Sequence, residues 1–475
     1  MFSERTNWKL AQNRFTRAVE EARAGRARVL DLTVSNPTRA GLRYDEAAIL
    51  GALASPRALD YDPQSKGLLA AREAVSGYYR DRSGLGERDV ASNVSTMEDL
   101  DPERIILTTS TSEAYSFVFR LLCNAGDELL VPKPSYPLFE FLADLQDVRL
   151  VPYPLIYDHG WQMDFPSLER AVTERTRGVV VVHPNNPTGS FVSAGEVGML
   201  NAFCREHGLA VIADEVFLDY GLETSGAKAP VHGEDIGSAE SAAPPKRGSS
   251  DAALSMDTRS LHASGDRRSP IPRLGRDDRE DETAEDRAGD ADDSAEELTA
   301  HASFAGNHSV LTFTLSGLSK IAALPQMKVA WVVTSGPREL AAEAMGRLEV
   351  IADTYLSMNA PVQWAVPALL QQRKDIQQQL LERVRANLAE LDRQLAGQQA
   401  CSRLDVEGGW YAVLRVPVTR SDEELAIELV REKAVVVHPG HFYDFPGDGY
   451  LVLSLIAATE EFKEGMGRVL AFLNS

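Results

Sequence analysis

The sequence predicts an α/β fold: a large domain with a mostly parallel sheet sandwiched by helices, plus a smaller α+β domain. Three observations carry this. Short, nearly all-apolar runs alternate with helical patterns up to about residue 335, as expected of strands covered on both faces. Beyond Ser335 the alternation gives way to long helices and a few scattered strands. At 475 residues the chain also exceeds one ordinary small core, so two domains are the default.

The stretch 1–30 mixes charges with Trp8, Leu10, Phe15 and Val19, which reads as an amphipathic helix without the apolar core of a secretion signal. Residues 1–44 are expected to pack with the smaller domain. Strands are predicted at 29–34, 105–109, 128–131, 178–183 and 209–213, with 310–316 and 329–333 completing the sheet of a domain spanning 45–335. Helices are predicted at 68–80, 112–123, 138–145 and 194–207. In the smaller domain, 336–475, long helices fill 338–395. Strands at 410–416, 435–437 and 451–456 follow, with helices near 423–432 and 460–473. Residues 226–303 fit neither domain. Their apolar residues are too sparse to offset ordering of roughly 1–2 kcal/mol per residue, so a disordered acidic surface insertion is expected, with a regulatory docking arm as the alternative.

Composition narrows the function classes. The formal charge of −21 argues against nucleic acid and anionic membranes as partners. Residues 226–303 hold 18 Asp/Glu against 10 Lys/Arg, so the acidity there is a solubility feature and says little about substrate. No run of eighteen apolar residues is present, which leaves no spanning helix. Cys123, Cys204 and Cys401 are far apart and odd in number. They make neither a disulfide framework nor a metal cluster, and they fit a reducing cytoplasm.

Four local patterns carry chemistry. Ser316-Gly317-Leu318-Ser319-Lys320 follows an apolar strand, with Lys328 eight residues on. A lysine left at a strand end in apolar surroundings has a lowered pKa and becomes a nucleophile; alone, an exposed solvated lysine is the commoner outcome. The Ser-x-x-Lys spacing of acyl-transferring serine enzymes does not fit, because Gly317 stands three before the lysine. Asn185-Asn186-Pro187-Thr188-Gly189 is a turn after a strand. Asp214-Glu215 ends the run 209–213, where open α/β sheets bind ligands, although a helix cap is an equal reading. Thr109-Ser110-Thr111-Ser112-Glu113 passes from strand to helix, giving either an anion site or a plain cap.

In this order and context the four patterns resemble the class I/II aminotransferases, of the pyridoxal-phosphate (PLP) fold-type I superfamily. The likeness runs from Val34-Ser35-Asn36-Pro37 to the final helix, apart from the insertion. Gly67 and Pro134-Ser135-Tyr136-Pro137 resemble further landmarks of the family. The resemblance implies that Lys320 bonds the PLP aldehyde and later shuttles a proton, while Asp214 pairs with the ring nitrogen. It implies that Asn186 bonds the ring oxygen and Tyr136 stacks on the ring. Ser110, Thr111 and Ser112 would hold the phosphate with Lys328 as its cation. Tyr61 would reach the phosphate of a neighbouring subunit, so a homodimer is implied.

Three departures stand out. Phe217 replaces a family tyrosine three residues after the aspartate. Lys328 stands where arginine is more usual, giving point charge without the bidentate fork. Val452 occupies the position of the arginine that clamps a substrate carboxylate. Arg39, beside Asn36-Pro37, and His441 are the candidate replacements. The function implied is transamination from an amino acid to a 2-oxo acid in a ping-pong sequence. A PLP-dependent β-eliminating lyase, or a PLP-binding protein without turnover, uses the same motifs and remains open at this stage.

Overall fold

A computed structural model describes residues 2–8, 13–25, 28–82, 100–137, 139–222, 302–356 and 358–474. Fourteen strands occur among them. They are β1 (Leu30–Asp31), β2 (Ile105–Thr108), β3 (Glu128–Lys133), β4 (Arg149–Tyr157), β5 (Trp161–Met163), β6 (Thr176–Val182), β7 (Ala210–Asp214), β8 (Thr312–Gly317), β9 (Ala330–Ser335), β10 (Ser402–Arg403), β11 (Tyr411–Arg415), β12 (Val435–Val436), β13 (His438–Pro439) and β14 (Tyr450–Ser454). The large sheet has the order β2-β9-β8-β7-β6-β3-β4-β5. Only β9 and β5 run against the rest.

Alternation along each strand divides the sheet into two buried faces. Ile106, Val180, Ile212, Phe313 and Val332 face the helices Thr111–Leu122 and Arg338–Tyr355. Val179, Val181, Val211 and Ala213 face the helix Ala194–His207. Towards the β2 end, Ile105, Leu107, Trp331 and Val333 meet the helices Leu69–Arg82 and Ala360–Gln371. Two of the helices expected in the smaller domain thus bury their apolar sides on the large sheet.

A second sheet, ordered β10-β11-β14-β13, and the β1–β12 pair share a cluster with the helices Arg373–Leu395, Asp422–Lys433 and Thr459–Leu473. The strand expected at 29–34 reduces to β1, which pairs in parallel with β12 and not with the large sheet. The N-terminal helix forms only over Arg14–Ala24, burying Phe15, Ala18 and Val19 in that same cluster. Residues 2–8 sit apart, with Trp8 Nε1 donating to Asp144 at 2.8 Å and its ring edge-on to Phe141.

Strand β4 was not anticipated, because Pro152 and Pro154 argue against a strand. They are tolerated because β4 pairs with β3 along 149–154, while β5 pairs only with 155–157 and leaves an open edge beside the prolines. The insertion expected at 226–303 lies outside the described residues except at its end. There Ser303 is buried and caps the turn Phe304–Gly306.

Candidate active site

The four patterns lie at the carboxyl ends of the parallel strands β2, β8, β7 and β6, where an open α/β sheet leaves a crevice. Strand β8 runs into the short helix Leu318–Ile321, which carries Lys320. Gly317 makes that turn possible. A side chain there would begin 2.7 Å from the Val329 carbonyl oxygen and 2.9 Å from the Ala330 Cα, so only hydrogen fits against β9. The Lys320 carbonyl accepts the Tyr220 hydroxyl at 2.6 Å, and Ile321 O accepts Gln377 Nε2 at 2.9 Å, so the backbone under the lysine is pinned.

The Lys320 amine points into an aromatic corner, 4.9 Å from the Trp410 ring centre and 5.4 Å from that of Phe217. Burial lowers its pKa from 10.5 to about 8, and the charge of Asp214 opposes that fall. Asp214 ends β7, the strand beside β8. Its Oδ2 accepts the Tyr115 hydroxyl at 2.9 Å and its Oδ1 accepts the Val216 N–H at 3.1 Å. Burial raises the acid to about 6 against these donors and Lys320. Glu215 serves a different purpose. It takes Ser303 Oγ–H and Phe304 N–H, each at 2.6 Å, and burial raises it to about 7.

Strand β6 leads into Asn185 and Asn186, both buried. Asn185 donates to the Pro134 carbonyl at 2.9 Å. Gly189, at φ +70°, lies so close to Gly408 that a side chain would start 2.5 Å from its carbonyl oxygen. The Asn-Pro-Thr-Gly turn therefore presses on Gly408, two residues before Trp410. Tyr136 is 45% exposed; partial burial of its hydroxyl and then the charge of Asp214 raise its pKa.

Four buried polar atoms here lack any partner: Ser135 Oγ, Asn185 Oδ1, Asn186 Oδ1 and Trp410 Nε1. Five other buried polar atoms among the described residues are also unpaired, but these four lie on the turn 185–189 and on the segments about Tyr136 and Trp410, where a polar ligand could meet them. The helix Thr111–Leu122 adds free N–H donors at its start. Ser110 caps that helix through Glu113 N–H at 3.1 Å, with Thr111 and Ser112 half-buried beside it.

The remaining predicted residues are not joined to this cluster by any hydrogen bond or ion pair among the described residues. Lys328 is exposed at φ +55°. Tyr61 is 81% exposed. Asn36 spends its side-chain oxygen on Thr38 N–H at 3.1 Å and Thr38 Oγ–H at 2.8 Å. Arg39 and His441 are exposed. Val452 is fully buried, opposite Val413 on one side and His438 on the other. The imidazole beside Val452 thus belongs to His438, and not to the candidate His441. It contacts Tyr443 Oη at 3.0 Å, and burial lowers it to about 4.

Sequence reasoning missed Tyr115 and Trp410. Trp410 had a signal, two glycines ahead of an aromatic at a strand start. Tyr115 had only a hydroxyl on an otherwise apolar helix face. No group of three or more His, Cys, Asp or Glu among the described residues could hold a metal ion.

The profile of the family described as aminotransferase class I and II matches residues 27–238 and 288–461. The glutamate–pyruvate aminotransferase of Escherichia coli strain K12 is 23% identical, over 94% of this chain and 91% of the relative. The alanine aminotransferase of Mycobacterium tuberculosis strain H37Rv is 24% identical over 94% of this chain and 86% of its own. Among solved structures, the alanine aminotransferase from Pyrococcus furiosus superposes with a TM-score of 0.75 at 19% identity, covering 100% of both chains. The aspartate aminotransferase from Thermotoga maritima gives 0.70 at 17% identity, also over 100% of both.

Proposed function

The chain belongs to the aminotransferase class I and II family, and from that membership we propose how its residues divide the labour of transamination. It is a PLP-dependent aminotransferase. When bound, PLP supplies a cationic ring that takes up the electron pair released as a donor's Cα–H bond breaks. The fit to this chain rests on the buried acid, the softened lysine and the unpaired amides described above.

Lys320 is the nucleophile and the proton carrier. Its lowered pKa leaves a useful share of neutral Nζ near neutral pH, and its pinned backbone keeps that nitrogen at the centre of the site. Asp214, mostly ionised at neutral pH, holds a proton on the ring nitrogen through a charge-assisted bond. Asn186 meets the ring oxygen and Tyr136 covers the ring. Ser110, Thr111 and Ser112 hold the phosphate through the first turn of their helix, with Lys328 as the cation. Phe217 gives the ring's neighbourhood bulk without a hydroxyl. Tyr61 completes the phosphate site of a second subunit, a role that suits its exposure beside Leu59, itself 90% exposed.

The donor is an amino acid and the acceptor a 2-oxo acid. With valine at 452, the substrate carboxylate falls to Arg39. What supports this is the docking of its segment on β14, where Ser454 N–H donates to Leu32 O at 2.7 Å and Ser454 Oγ–H to Val34 O. Asn36, three residues before Arg39, and the exposed His441 are the further candidates for the substrate side. A homodimer in the cytoplasm is part of this reading. The second subunit is called for by the role proposed for Tyr61, and the cytoplasm is supported by three unpaired thiols.

The observation that carries the reading is the placement of Asp214 at the end of β7 and of Lys320 in the short helix that follows the paired strand β8. The test is a single turnover with alanine or glutamate as sole substrate, beside an incubation with serine or cysteine, whose Cβ carries the leaving group that β-elimination needs. Transamination yields one equivalent of 2-oxo acid per chain and no ammonia. Continuing release of ammonia would assign a lyase instead.

A further inference from the structure

We propose that Tyr115 is the positioning residue for Asp214, fixing the carboxylate in the orientation that meets the ring nitrogen; this rests on the cofactor assignment above. The observation is one bond in a rigid setting. Tyr115 donates its hydroxyl to Asp214 Oδ2 at 2.9 Å. Its ring is 3% exposed and boxed edge-on by Phe119 at 5.7 Å and Phe139 at 5.3 Å, so the hydroxyl has a single direction open to it. The other carboxylate oxygen is tied to the Val216 N–H. Held at two points, the carboxylate plane cannot swing, and each oxygen keeps a second lone-pair direction for a further donor.

Charge and geometry both follow. Burial drives Asp214 towards its neutral form, and the Tyr115 hydroxyl opposes that by stabilising the anion. Tyr115 itself is pushed well above the ordinary tyrosine range, so it remains a donor throughout the working pH. It also stands three residues after Ser112 and four after Thr111, on the same side of one helix. That helix therefore carries both the proposed phosphate site and the residue that aims the acid at the opposite end of the same ligand. A merely structural tyrosine would satisfy its hydroxyl without any effect on that acid.

The experiment measures PLP dissociation constants from protein fluorescence across pH, and the 15N shift of the ring nitrogen in the reconstituted enzyme. Tyr115→Phe keeps the ring and removes the hydroxyl. It should weaken PLP binding about tenfold at neutral pH. The acid limb of the binding curve should move to higher pH, and the 15N signal towards the unprotonated form. In an Asp214→Asn background the same substitution should change nothing further, because its effect passes through the carboxylate. Phe119→Leu, which disturbs the same packing and leaves the hydroxyl, should leave the acid limb in place. An unmoved limb in Tyr115→Phe, an equal loss in both backgrounds, or an equal shift in Phe119→Leu overturns the proposal. A native enzyme that binds no PLP would instead overturn the cofactor assignment, before any variant is compared.

Discussion

The crevice at the end of the large sheet and the inner face of the small sheet are built from opposite materials. On the first, an amine, a carboxylate and two carboxamides gather on the ends of β6, β7 and β8, several with atoms left unpaired. On the second, Val413, Val452 and a histidine that burial keeps neutral near pH 7 stand side by side. A polar surface so expensive to bury persists where every group has a partner to meet. An apolar surface leaves the identity of its ligand open. On the reading proposed here, the contrast assigns reaction type and substrate choice to different parts of this molecule.

The sharpest way to break that contrast is at Lys320. Lys320→Ala should lower the donor half-reaction by at least about 10⁴-fold, since it removes both nucleophile and proton carrier. Borohydride should no longer fix PLP to the chain; persistent fixation would move the chemistry elsewhere. Asp214→Asn should follow at roughly 10³-fold in kcat, the scale of a lost electrostatic partner to developing charge. Asn186→Ala should fall within about tenfold, because a neutral hydrogen bond is the weaker contact. Single-turnover rates for both variants check the order, and a reversal would mean that the acid does not face the ring nitrogen.

The same contrast explains what the sequence made legible. Lys320, Asp214 and Asn186 lie at or shortly after the ends of apolar strands, so local pattern pointed to them, while their roles came from the family resemblance. Tyr115 and Trp410 meet that cluster from elements distant in sequence, and a helix-face hydroxyl does not announce where it points. The short β1 was misplaced because apolar runs of a few residues reveal burial without naming their partner strand. Strand β4 was hidden by prolines that an edge tolerates. On the small sheet, register puts His438, three residues before the candidate His441, beside Val452, which no local pattern could show.

A gentler probe addresses the substrate side. Arg39→Ala should raise KM for an amino-acid donor about tenfold or more, as for roughly 1.5–3 kcal/mol of charge-assisted binding, with kcat little changed. An unaltered KM across a donor panel would remove Arg39 from the site. The apolar face at Val452 would then stand alone, and donors without a carboxylate should compete well.

The smallest expected effect compares the two regions by the protons they hold. Asp214 is raised to about 6 in the folded chain, above its unfolded value of about 4. Its contribution to stability without PLP is therefore full below the unfolded value and is lost as pH climbs through about 6. His438 behaves in the opposite sense. Its ring is lowered to about 4, so its contribution is present above about 6.5 and is lost as pH falls through about 4. The two windows overlap with opposed signs, and the raw melting curve of the PLP-free chain will show little of either. The difference between Asp214→Asn and the native chain cancels His438 and isolates the acid. That difference in Tm should grow in the variant's favour by about 1–2 °C from pH 4 to 7 and then level off. Saturating PLP should reverse its sign near pH 7, because the native carboxylate then has a cation to pair with. A difference that stays flat with pH would mean that the crevice holds no stored charge at 214, and the distinction between the two faces would lose its physical basis.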